Sequence, residues 1–158
     1  MYLDVEVFNQ TELKNIKLKP LRDAALLVLN DKGIKNAVLN IVLLNTEDIQ
    51  NMNNEYLQHN YPTDVISFNL KDVNIDEKYN EILGEDDTDF DGEIYIGVDV
   101  AIENGKKFKV SLTNELVRLT IHGTLHILGM NDEAPEEKQL MTERENYYLN
   151  ELKNRKKA

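Results

Sequence analysis

Cysteine is absent from the chain, which excludes disulfides and thiolate metal sites and leaves histidine and carboxylate as the ligands available to a metal. Histidine itself is scarce, with three in 158 residues. No apolar run approaches the roughly 20 residues that a membrane-spanning helix needs. The first residues, Met1 to Val7, alternate like a strand and lack a basic region followed by an apolar one. Neither a membrane anchor nor a secretory signal is expected, and a cytoplasmic location is. Internal repeats, low-complexity tracts and a glycine-rich phosphate loop are also missing. Basic charge is in short supply, 18 residues against 29 acidic ones for a net of −11, which at first sight argues against a nucleic-acid partner. The distribution changes that inference. From Asp72 to Glu93 ten acidic residues face Lys78 alone, a net of −9, so the rest of the chain carries only −2 and basic surface elsewhere stays open. The length suits one domain over residues 1–158, enough to bury a core without covalent staples.

What is present concentrates in eleven residues, His122-Gly123-Thr124-Leu125-His126-Ile127-Leu128-Gly129-Met130-Asn131-Asp132. Histidines four apart on a helix stand one above the other on the same face. Gly129 suits the positive φ with which a helix ends, so the chain doubles back and brings Asp132 toward both imidazoles. A lone His-x3-His pair is more often an ordinary core or surface pair. Here it takes two of three histidines and runs straight into a glycine stop and a third ligand. Two imidazoles and one carboxylate suit a divalent ion of the zinc type, and three protein ligands leave a position open for water. The spacing matches that of helix-plus-turn zinc hydrolases, in which glutamate follows the first histidine and the third ligand is histidine. Gly123 occupies the glutamate position, so the ligand geometry is expected without a protease's general base.

The rest of the chain reads as mixed secondary structure. Strands are expected at 2–8, 37–44, 65–70 and 94–98, the second of them central because it is almost continuously apolar. Helices are expected from Pro20 to about Lys32-Gly33, from a Thr46 cap to about Leu57, over 99–109, through the histidines from a Ser111 or Thr113 cap, and from Pro135 to Leu152 with a frayed basic tail. Asn60 to Asp64 reads as a polar turn, 72–93 as a long acidic loop or an excursion with little structure of its own, and Asp91-Gly92 as the entry to the fourth strand. Without strict alternation of strands and helices, the class is α+β, a small mixed sheet of about four strands with helices packed on it.

Leu116, Leu119, Ile121, Leu125, Ile127 and Leu128 would send the histidine helix through the core, leaving Glu115, Arg118, His122 and His126 as a polar line toward a cleft. Arg118, one turn before His122, is either a phosphate clamp beside the metal or an arginine paired with an acid. Glu115 reads as a first-turn helix acid rather than a base. Asp64, in Pro62-Thr63-Asp64, fits ordinary turn chemistry before a strand. His59 reads as an exposed loop residue.

Three motifs in order give the chain a resemblance. Asn53-Asn54-Glu55-Tyr56 leads to Pro62-Thr63-Asp64-Val65-Ile66-Ser67-Phe68; Asp91-Gly92-Glu93-Ile94-Tyr95-Ile96 follows; the histidine helix closes the series. Over nearly its whole length the chain resembles the YbeY family of bacterial rRNA maturation endoribonucleases. The resemblance implies a metal-dependent, single-strand-specific endoribonuclease acting at the 3′ end of small-subunit 16S rRNA and in ribosome quality control. It implies one zinc or other divalent ion on His122, His126 and Asp132, and an rRNA precursor as substrate. It also implies small-subunit ribosomal proteins or an assembly GTPase as partners, and roles for Thr63, Asp64 and Ser67 in lining the RNA cleft or orienting a ligand. This chain departs from the family in carrying Asp132 where the third histidine usually stands, Leu57 where an arginine usually follows the tyrosine, and Glu93 for an aspartate. Two rival readings are another metal-dependent ester or amide hydrolase, with Glu115 or Asp64 as base, and a ribosome-associated binding factor with a structural metal. A non-haem iron site is weaker still.

Overall fold

A computed structural model describes residues 2–57, 65–69 and 90–157. Among them, β1 (Tyr2–Asn9), α1 (Lys19–Asp31), β2 (Asn36–Leu44), α2 (Thr46–Leu57), β3 (Val65–Asn69), β4 (Phe90–Gly97), α3 (Val98–Phe108), α4 (Leu112–Ile127) and α5 (Pro135–Lys157) follow in chain order. The sheet order is β1-β2-β4-β3. β2 pairs in parallel with β1, Val5 opposite Leu39, and with β4, Ile41 opposite Ile94. β3 runs antiparallel along the far side of β4, Ser67 opposite Ile94. The α+β class with a four-stranded mixed sheet is the architecture observed.

β2 is apolar on both faces because both are covered at its C-terminal half. Ala37, Leu39, Ile41 and Leu43 join the main core beneath α1 and α4, while Val42 and Leu44 pack with Ile49 of α2 and Ile66 on the other face. Asn40, nearer the strand's start on that second face, stays half-buried. α4 is the helix the fold is built around, packing on α1, α3, α5, β3 and β4. Leu116, Ile121 and Leu125 are fully or almost fully buried along it, and each such side chain contributes about 1.5–3 kcal/mol. No helix among the described residues is long and apolar enough to cross a membrane.

Several boundaries differ from the sequence reading. Asn45, not Thr46, caps α2, its Oδ1 accepting the Asp48 N–H at 2.8 Å, while the Thr46 N–H donates to Asp99 at 3.0 Å. β4 begins at Phe90, so Asp91-Gly92 is strand rather than turn. Gly92 is there because α4 comes close: a Cβ on it would lie 2.9 Å from Ile127 Cδ1 and 3.3 Å from Leu39 Cδ1. α5 runs on to Lys157 instead of fraying after Leu152; Lys153 and Arg155 near its end complement the helix dipole. The polar turn at 60–64 and the acidic stretch up to residue 89 lie outside the described residues.

Candidate metal centre

α4 starts on Ser111, whose Oγ accepts the Asn114 N–H at 3.0 Å. It ends in a Schellman turn: the Gly129 N–H donates to His126 O at 2.9 Å, the Met130 N–H to Leu125 O at 3.0 Å, and Gly129 takes φ +100°. That turn folds the chain back along the helix tip and delivers Asp132 to the histidine face. His122 Nε2 lies 3.3 Å from Asp132 Oδ2, His126 Nε2 3.3 Å from Asp132 Oδ1, and the two Nε2 atoms are 2.9 Å apart. All three candidate ligands are half-buried, and one atom from each lies within 4.8 Å of the others.

The donor set fits a divalent ion. Ligand atoms about 2.0–2.1 Å from a tetrahedral zinc stand about 3.3 Å from one another, close to the separations here. The two imidazole Nε2 atoms, 2.9 Å apart, are within hydrogen-bond distance of one another, one donating and one accepting.

Behind the ligands stands a residue that the sequence reading missed. Glu145 on α5 is buried, its Oε2 2.7 Å from His122 Nδ1 and its Oε1 3.0 Å from Arg118 Nη1. Arg118 Nη2 donates in turn to Asn146 Oδ1 at 2.8 Å. The contacts of Arg118 are therefore those of an arginine paired with an acid, with two of its nitrogens engaged by Glu145 and Asn146. The signal for Glu145 was a carboxylate inside the buried stripe Met141, Glu145, Tyr148, at helical spacing.

The expected polar line toward a cleft is shorter than its four members. Glu115 is buried within α4's core-facing surface, so the half-open positions are Arg118, His122 and His126. Gly123 faces the sheet: a Cβ there would sit 2.9 Å from both Ile94 Cγ2 and Ser67 Oγ. This places half-buried Ser67 against α4 between the two histidines, whereas Thr63 and Asp64 lie outside the described residues. The crossing also accounts for the missing glutamate, because the helix position that carries a protease's base is pressed against β3 and β4. Glu93 accepts a hydrogen bond from the Tyr95 hydroxyl, on the sheet face that packs toward α2.

A half-open site of two histidines and a carboxylate on a helix and its following turn defines a class, that of proteins with a hydrolase-type metal helix on an α+β sheet. Comparison narrows the class. The family model described as Endoribonuclease YbeY matches residues 6–153. A protein named Endoribonuclease YbeY from Chlorobium chlorochromatii is 36% identical over 154 residues, covering 98% of this chain and 89% of its own. Another of that name from Chlorobaculum parvum is 34% identical over 151 residues, covering 96% of each. A solution structure from Thermotoga maritima shares the fold with a TM-score of 0.61 at 22% identity, over 97% of this chain and 91% of that one. The chain belongs to the YbeY endoribonuclease family.

Proposed function

We propose that residues 1–158 form one metal-dependent endoribonuclease domain that cuts single-stranded RNA. Its place is the cytoplasm, in maturation of the 3′ end of 16S rRNA and in ribosome quality control, with small-subunit ribosomal proteins or an assembly GTPase as partners. The observation that carries the reading is the convergence of His122, His126 and Asp132 within 4.8 Å, in a chain of the YbeY family. Zinc is the ion that this donor set favours. When bound, the ion supplies Lewis acidity to a phosphoryl oxygen and activates water near neutral pH.

The chain's own residues do the rest. His122 and His126 offer neutral nitrogens, and Asp132 contributes one negative charge, so a divalent ion keeps a net +1 toward an approaching phosphate. Relatives with a third histidine would keep +2. Glu145 and Arg118 cancel one another's charge behind the site. Thr63, Asp64 and Ser67 are assigned to the RNA side of the cleft. Peptide hydrolysis is disfavoured by Gly123, whose tight contact with Ile94 and Ser67 leaves the usual base no room. A structural metal is disfavoured because among the described residues only three ligands converge, and Glu145, engaged with Nδ1 of His122 on the side away from them, adds no fourth.

The test is metal content of the purified wild type beside His126→Ala, with cleavage of single-stranded RNA measured on the same samples. About one divalent ion per chain in the wild type, lost together with cleavage in the variant, is the expected result. Metal binding without RNA cleavage would favour the binding-factor reading, and a wild type that takes up no ion after reconstitution would sink the assignment.

A further inference from the structure

We infer that Glu145, held by Arg118, is a positioning residue that fixes His122 in the tautomer whose Nε2 faces the metal; the inference rests on the metal-site reading above. An ionised carboxylate only accepts hydrogen bonds, so the 2.7 Å contact from Glu145 Oε2 places a proton on His122 Nδ1 and leaves the lone pair on Nε2. That nitrogen is the one 3.3 Å from Asp132 and 2.9 Å from His126 Nε2. Arg118 fills the other oxygen at 3.0 Å, so each carboxylate oxygen has one partner and the carboxylate plane cannot rotate freely.

The arrangement also explains why a charge sits in an apolar stripe. Glu145 is 6% exposed, with Met141 and Tyr148 beside it on α5 almost wholly buried. A carboxylate taken out of water costs several kcal/mol unless paired and hydrogen-bonded. Here it is paired with the arginine one helical turn before His122, so α4 supplies both partners, Arg118 and His122, at i and i+4. The carboxylate thereby spans from α5 to the metal helix and sets the orientation of one ligand.

Glu145→Gln makes the test specific. The amide has one accepting and one donating end. Arg118 demands the accepting oxygen, so the NH2 group is turned toward His122 Nδ1. That selects the opposite tautomer, with the proton on Nε2, where it blocks the metal. Zinc affinity, measured by chelator competition, should fall about 10–100-fold. In the metal-free protein at alkaline pH, nitrogen-15 spectra of the imidazoles should move His122 from the Nδ1–H to the Nε2–H form. Adding Arg118→Met to Glu145→Gln frees the amide to turn its oxygen to Nδ1, so the double variant should recover affinity relative to the single one. Tyr148→Phe, at a position on the same helix face that does not touch the site, controls for loss of helix packing and should bind zinc as the wild type does. Unchanged affinity in Glu145→Gln, or a loss that the double variant does not recover, would overturn the inference while leaving the metal site standing. A wild type that binds no zinc would instead overturn the reading beneath it.

Discussion

Gly123 stands between the two histidines, and its role is steric. A glycine exposed in a helix interior is a liability of about 1 kcal/mol relative to alanine, so Gly123→Ala would stabilise a helix lying on the surface. Here the new Cβ would lie 2.9 Å from Ile94 Cγ2 and 2.9 Å from Ser67 Oγ. Ile94 is β-branched and fully buried, so its methyl cannot swing aside without disturbing β4. Overpacking of this kind costs about 1–3 kcal/mol. It outweighs the propensity gain, and urea unfolding of Gly123→Ala should show a net loss of stability. A gain would mean that α4 can lift from the sheet without penalty, and with it the argument that the protease's glutamate has no room would fall. At the same scale the metal site was readable in the sequence, because helical spacing and a glycine stop are local rules. Glu145 was not, since its partner His122 lies 23 residues away and only tertiary packing brings the two together.

α5 is docked at two points, and they have different purposes. At one, Glu145 reaches the metal helix. At the other, Tyr148, fully buried, donates its hydroxyl to Asp31 at 2.6 Å, and Arg144 donates to the same Asp31 oxygen at 3.3 Å and to the tyrosine oxygen at 3.1 Å. Asp31 is the last residue of α1, where the helix dipole is unfavourable to a carboxylate, and these two donors offset that. Burial first, and the bond to Asp31 second, push the Tyr148 hydroxyl above its ordinary 10.0. With the folded value raised, the tyrosine's contribution is fully present below pH 10 and is lost as pH climbs through the folded value. Tyr148→Phe should therefore cost about 1–2 kcal/mol at neutral pH and flatten the fall in stability above pH 10, followed by chemical unfolding across the alkaline range. An unchanged alkaline slope would show that another group controls it. Among the described residues element types were legible because the apolar periodicities of β2 and α4 are long and strong. Boundaries were less so. Asp91-Gly92 carries the composition of a turn, yet it is strand because Gly92 answers a close approach from Ile127 that no local pattern encodes. The end of α5 was misplaced for a related reason, since a polar, basic stretch after Leu152 looks like a frayed tail until the dipole is counted.

For the whole molecule, the metal site depends on elements beyond the eleven residues that carry its ligands. His122 and His126 belong to α4, Asp132 to the turn beyond it, and Glu145 to α5, whose other end is latched to α1 through Asp31. An ion held by this set is bound more tightly by the folded chain, because only the folded helix and turn hold the three ligands in a fixed arrangement. Binding must then raise global stability by mass action, by about 2.7 kcal/mol when free ion stands at 100 times its Kd. For a chain of this size that corresponds to a rise in Tm of roughly 5–10 °C. Thermal unfolding of the wild type with increasing zinc should show that rise, and a chelator should reverse it. His126→Ala should melt at one temperature whatever the zinc concentration. The net charge of −11 offers a competing explanation, since any divalent cation relieves repulsion among 29 acidic residues. The variant separates the two, because it keeps every acidic residue and loses a ligand. A zinc-dependent rise that survives in His126→Ala would assign the effect to diffuse charge, whereas its disappearance ties the stability of the fold to the three ligands.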